Sequence, residues 1–406
     1  MPFDPADCDA LVPNTVARSG SGEGGLRGVS FVAKDLFSLK GHRSSFGHER
    51  WRSTHPAATT TSPVLAHMLE AGADLVGLTK MDQLAYSLIG NVGEGAPPRN
   101  ALDNRLYCGG SSSGSAAAVA AGLADLGLGT DTAGSIRVPA TVCGLHGLRP
   151  SHGTIKPEGV IPLAPPFDVV GILGRRASIM ADALEVITPS GGSRITLSRV
   201  MFAVDVFDSV DASTLQEGRA IADAAAGIMA VPCEEIEFGE FTTPDVADLF
   251  ARLQGREIWS NHGAWVEEHW HVLATDVRSR LERCRRLSRD SPNFKKEDRE
   301  EWRRYRRLFR GVVAQGTVVV LPILPGHGPM RDWDDQRLAE FRSGCFRLTA
   351  PSSLTGAPQA VFSTPHDGDQ RSIGVGLLTA SGGDFSLLEL MTLLGDRAPA
   401  AMVEDQ

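Results

Sequence analysis

A chain of 406 residues with 42% hydrophobic, 6% aromatic and 22% charged residues has an ordinary globular composition, which excludes disordered, collagenous and fibrous classes. Forty basic residues against 49 acidic ones give a net charge of −9, a poor match for nucleic acid as main partner. The six cysteines (Cys8, Cys108, Cys143, Cys233, Cys284, Cys345) are scattered without a CxxC pair, which argues against a zinc site or a disulfide framework and suits a reducing compartment.

The first residues, MPFDPADCDALVPNT, are polar and acidic and do not have the form of a signal peptide. No apolar run reaches the length a membrane span needs, so a cytoplasmic protein is expected. Residues 1–25 end in RSGSGEGG and are expected to form a mobile leader. LRGVSFVAK (26–34) has the β-branched and aromatic content of a buried strand. SPVLAHMLEAG (62–72) predicts a helix with a Ser cap, Pro in its first turn and Gly at its end. DLVGLT (74–79) predicts a strand. Residues 90–115 are dense in Gly, Pro, Asn and Ser and predict loop.

AAAVAA (116–121) predicts a helix closed by Gly122, followed by a strand over 123–129 and a helix starting near Ile136. Residues 240–310 predict helices, with three tryptophans in 259–270 and an arginine-rich stretch from Arg278 to Arg310. That stretch is interleaved with acids and predicts a solvated, ion-paired face. TVVVLPILP (317–325) and RSIGVGLLTA (371–380) predict buried strands, and DFSLLELMTLLG (384–395) a last helix. Alternating strands and helices predict a layered α/β core.

The chemistry is densest in Gly109–Pro139, GGSSSGSAAAVAAGLADLGLGTDTAGSIRVP. It holds two small-residue turns, each carrying serine and each opening a helix. Glycine lets a backbone approach a ligand closely, and a helix N-terminus presents unsatisfied N–H groups with a positive dipole end. A serine hydroxyl beside such donors suits acyl transfer, with the N–H groups stabilising the oxyanion.

An attacking serine needs a base. Arginine cannot release its proton, whereas a desolvated lysine can. Of the six lysines (Lys34, Lys40, Lys80, Lys156, Lys295, Lys296), only Lys34 ends an apolar strand; the other five stand in polar or loop-like surroundings. The alternative for Lys34 is a side chain that reaches solvent or pairs with Asp35. Gly110–Gly114 also fits G-x-S-x-G around Ser112, but ALDNRLYC before it is a poor strand, and His327 or His366 could serve as partner only by position.

Taken together, Lys34 in VAKDLF, Ser111 in GGSSSGSAAAVA and Ser135 in GTDTAGSIRVPA, in that order and spacing, resemble the amidase signature family. The likeness is close over residues 25–175 and weaker over 317–395. It implies a single α/β core: a large mixed twisted sheet covered by helices on both faces, with a helical insert. The expected organisation is a leader over 1–25, a first core part over 26–240, an insert over 241–312 that helps form the substrate pocket, and a return to the core sheet with a last helix over 313–406.

The resemblance assigns Ser135 as nucleophile, Ser111 as a bridging serine on a cis peptide, and Lys34 as base. It assigns the N–H groups of Thr132, Ala133, Gly134 and Ser135 to an oxyanion hole, and Ser112, Asp131 and Arg137 to support. Tyr86, Asn91, Phe167 and His262 are expected near the substrate. No metal or cofactor is implied, and a homodimer acting on a small amide is expected.

Two positions depart from the family pattern. Ala133 and Ser113 stand where glycine is usual, and Ala133 is expected at negative φ. KDLFSLKGHRSSFG, AYSLIGN, the triple serine and SNHGAW (260–265) look most like plant indoleacetamide hydrolases and bacterial relatives. The implied reaction is hydrolysis of a small primary amide with a hydrophobic or aryl acyl group. Alternatives are a urea, carbamate or ester substrate, or the glutaminase subunit of a tRNA-dependent amidotransferase.

Overall fold

The computed structural model describes residues 4–13, 15–188, 191–291, 293–365 and 372–396. Its strands are β1 (Ser30–Lys34), β2 (Asp74–Thr79), β3 (Leu126–Asp131), β4 (His146–Arg149), β5 (Val169–Gly174), β6 (Arg199–Ala203), β7 (Cys233–Ile236), β8 (Thr317–Pro322), β9 (Gln359–Pro365) and β10 (Ser372–Thr379). They form one sheet in the order β2-β1-β3-β5-β4-β9-β10-β8-β6-β7. Its two ends, β2-β1-β3 and β8-β6-β7, are parallel, and the strands between them run antiparallel.

Alternating side chains feed two cores, as the strand period of two requires. Phe31 and Ala33 of β1 enter one cluster while Val32 enters the other, and Ile172 and Leu173 of β5 divide in the same way. The helices Ser113–Ala120 and Arg137–Val142 supply the smaller cluster. Ala177–Ile187, Ala212–Met229 and Asp384–Asp396 supply the larger one on the opposite face.

Local signals account for most boundaries. Ser62 Oγ accepts the Leu65 N–H at 3.4 Å and opens Pro63–Glu70. Gly122, at φ 81°, ends the helix Ser113–Ala120. That helix is built from small residues that let it lie against β3: a Cβ on Gly127 would meet Ser115 O at 3.1 Å.

The predicted 240–310 segment resolves into helices Pro244–Glu268, Thr275–Asp290 and Lys296–Val312. Its arginines are ion-paired, with Arg285 on Glu267 at 2.8 Å and Arg252 on both Asp298 (2.9 Å) and Glu301 (2.7 Å). These helices pack on a further helix, Asp335–Thr355, which contains Pro351.

The described part of the leader differs from the mobile segment expected. The Val12 N–H donates to Leu78 O at 3.0 Å, and Arg18 exchanges backbone bonds of 2.9 and 2.8 Å with Leu75. The segment therefore covers the outer edge of β2, an edge that would otherwise expose unpaired backbone groups. Among the described residues no helix is long and apolar enough to cross a membrane.

Candidate active site

Because β1, β2 and β3 are parallel, their C-terminal residues Lys34, Thr79 and Asp131 meet at one edge of the sheet, where open α/β sheets place their ligands. Lys34 is fully buried, and its Nζ donates to Ser111 Oγ at 2.7 Å and to Thr130 Oγ1 at 3.1 Å. Burial pushes its pKa down to about 7, against the upward pull of Asp82, Asp131 and Asp168. The alternative of a pair with Asp35 is not what forms. Asp35 turns away to accept from His42 Nε2 (2.7 Å), Ser45 N–H (2.7 Å) and Ser45 Oγ (2.6 Å). Lys80, expected in polar surroundings, is buried as well, but it is bound by Asp9 at 2.8 Å and Ala96 O at 3.1 Å.

Ser111 follows a cis peptide from Gly110. Gly110 is required here by close approach: a Cβ would lie 1.9 Å from Asp82 Oδ2. Asp82 is a buried acid that sequence reasoning missed. It accepts the N–H groups of Gly90 and Val92, both at 3.1 Å, and burial raises its pKa to about 6. Since its charge supports the ammonium form of Lys34, Asp82→Asn is expected to lower the Lys34 pKa further. A side-chain NMR titration of the lysines measures this directly, and an upward shift would contradict it. Ser112 is buried, and its Oγ reaches only Thr130 O at 3.4 Å. No strand precedes it, as the alternative elbow would need, and His327 lines a separate cavity with Trp333. His366 lies outside the described residues.

The turn carrying Ser135 is organised by Asp131. Its Oδ1 accepts the Gly134 N–H at 2.7 Å, and its Oδ2 accepts the Ile136 N–H at 3.2 Å. Arg137 grips both carboxylate oxygens (2.9 and 2.8 Å) and also donates to Thr349 O, Gln359 Oε1 and Ser353 Oγ. Arg149 adds a contact of 3.2 Å to Oδ1. Burial alone would raise the Asp131 pKa, but Arg137 and Arg149 hold the carboxyl well below the usual carboxylate range. Asp131→Asn would leave two buried guanidinium groups without their anion. A stability loss of about 3–5 kcal/mol is expected in urea unfolding, and a loss within experimental error would refute this account of the turn.

Ala133 lies outside the positive-φ region, as its side chain demands, while Gly134 sits at φ 119°. The Gly134 N–H differs from expectation: it is committed to Asp131 and does not add to the oxyanion donors. The N–H groups of Thr132, Ala133 and Ser135 find no acceptor among the described residues. The Thr132 hydroxyl donates to Asp168 at 2.6 Å.

Ser135 opens into a narrow cleft with about 310 Å³ of empty space, counting the part open to solvent. Its walls are Tyr86, Leu88, Leu163 and Phe346, with Gln254 and Arg342 as polar members. Tyr86 is thus placed where expected, on a loop whose Leu84 and Ala85 hold the left-handed conformation (φ 53° and 54°).

The other three residues expected near the substrate lie outside the lining of this cleft. Asn91 lines an adjoining groove with Asp276 and Arg280 that shares Arg342 with the cleft. Phe167 is fully buried against Phe250 (5.1 Å between ring centroids) and Trp302 (5.3 Å), a core role that follows from the aromatic insert packing over it. His262 packs on Phe46 and Trp51, donates from Nε2 to Pro162 O (2.6 Å), and is held down to about pKa 4 by burial. Gln254 and Arg342 were missed because they sit on charged helices far from the serine turns in sequence. Among the described residues no cluster of three or more His, Cys, Asp or Glu side chains is arranged to hold a metal ion.

A family model described as Amidase matches residues 12–220. The chain is 31% identical over 400 residues to Amidase 1 of Arabidopsis thaliana, covering 91% of this chain and 93% of that protein. It is 32% identical over 397 residues to Amidase 1 of Oryza sativa subsp. japonica, covering 90% and 89%. A solved crystal structure of an amidase superposes with a TM-score of 0.77 at 24% identity, over 92% of this chain and 86% of that chain, so the fold is shared.

Proposed function

The chain belongs to the amidase family and hydrolyses an amide C–N bond, and on that footing we propose that it cleaves small primary amides through Ser135, Ser111 and Lys34. The observation that carries this reading is the buried Lys34 amine, lowered to about pKa 7 and 2.7 Å from Ser111 Oγ, beside a cleft that Ser135 lines. A hydroxyl donates and accepts at once, so Ser111 can pass a proton between Ser135 Oγ and Lys34 Nζ.

Ser135 Oγ attacks the amide carbon as its proton moves through Ser111 to Lys34. The oxyanion that forms is met by the N–H groups of Thr132, Ala133 and Ser135, each such donor being worth about 3 kcal/mol of barrier. The C–N bond then breaks, and the same proton returns through Ser111 to the leaving nitrogen. Water then attacks the acyl-enzyme as its proton moves through Ser111 to Lys34, and that proton returns to Ser135 Oγ as the ester bond breaks and the carboxylate leaves. Side chains and water suffice for every step.

The apolar walls Leu88, Leu163 and Phe346, and the small volume, favour a compact hydrophobic or aryl acyl group. The test is ammonia release by the purified chain from a panel of primary amides, anilides and ureas. Turnover of small primary amides by the chain alone is expected. Activity confined to ureas, or appearing only with added partner proteins, would overturn the reading.

A further inference from the structure

The fully buried guanidinium groups Arg137 and Arg149 share Asp131, and Arg256 holds Asp298 at 2.8 Å. Arg342 is different. It stands half-buried on the helix Asp335–Thr355 and lines both the cleft beside Ser135 and the adjoining groove. No hydrogen bond or ion pair reaches it from any described residue.

Asp276 faces the same groove and gives its Oδ2 to Arg280 at 3.0 Å, while its Oδ1 has no hydrogen-bond partner; Arg280 also donates to Tyr86 O. Arg280 and Arg283 add like charge around Arg342, and burial together with Arg280 lowers its pKa to about 10, so it is cationic at neutral pH. Half-buried and without a hydrogen-bonded partner among the described residues, its planar guanidinium fork matches a carboxylate with two hydrogen bonds. Leu88, Leu163 and Phe346 also line the cleft and suit an apolar spacer between two polar ends.

We propose that Arg342 is a specificity-determining residue that binds a carboxylate carried on the acyl group of the substrate. The preferred substrates are then monoamides of dicarboxylic acids, with the amide carbon at Ser135 and the far carboxylate at Arg342. This rests on the Ser135 reading above and gives the acyl group of its substrate a terminal carboxylate beyond the apolar part.

The experiment compares kcat/KM for succinamate, glutaramate and adipamate with the neutral butanamide, pentanamide and hexanamide, with phenylacetamide as an aryl control. In the wild-type enzyme at least one carboxylated amide is expected to exceed its neutral counterpart by about tenfold or more, the scale of a charge-assisted hydrogen bond. In Arg342→Met that ratio is expected to collapse toward one, chiefly through KM of the carboxylated member, with Arg342→Lys intermediate. Equal or better turnover of the neutral or aryl amides by the wild type, or an unchanged ratio in Arg342→Met, overturns the proposal and leaves the Ser135 reading standing. The wild-type comparison does not depend on any variant folding. Absence of Ser135-dependent ammonia release from every amide would overturn both.

Discussion

Ser135→Ala is expected to lower kcat on the best amide by about 10⁴-fold or more, with KM changed only a few-fold. Removing a nucleophile deletes the covalent route, and what survives is the residual catalysis of oxyanion donors and binding. The substitution removes one oxygen from a residue on a turn held by other groups. Gly134 and Ile136 bond to Asp131, and Arg137 clamps it, so the turn is expected to persist. Steady-state ammonia release and a melting temperature measured on the same preparation separate chemistry from folding. Full turnover by Ser135→Ala would move the nucleophile elsewhere, with Ser112 the first alternative to examine.

Lys34→Ala is expected to lose about two to four orders of magnitude, the range of a general base. The sign of the pH dependence follows from the charge state that works. Lys34 accepts a proton only when neutral, and its pKa lies at about 7. The wild-type kcat/KM is therefore expected to rise as pH increases through about 7 and to level off above it. In Lys34→Ala that rise disappears, and activity climbs with hydroxide concentration, recovering in part at high pH. An undiminished inflection near neutrality in the variant would assign the titration to another group. Asp82, raised to about 6 by burial, is the one to test next.

The parts of this site that were legible in the sequence are those encoded locally. Two glycine-serine turns that open helices, and a lysine at the end of an apolar strand, are visible because the residues that shape them are neighbours. The burial of Lys34 was not visible. It depends on Asp35 turning toward Ser45 and on three parallel strands ending together, which no local pattern states. The pocket was least legible. Leu163, Gln254, Arg342 and Phe346 come from three distant segments, and two of them are polar residues on helices in which no motif marks a site. The aromatic and histidine residues at 167 and 262 drew attention by type, yet their chemistry is spent on packing the insert against the core. The helix Asp335–Thr355 escaped the pattern because Pro351 interrupts it.

Arg137 ties the Ser135 turn to Thr349 O and Gln359 Oε1, partners 212 and 222 positions further along the chain. During synthesis on the ribosome, Ser135 and Lys34 are made long before the residues that fasten the Ser135 turn. A nascent or truncated chain thus carries every reactive group while lacking the clamp that aligns them.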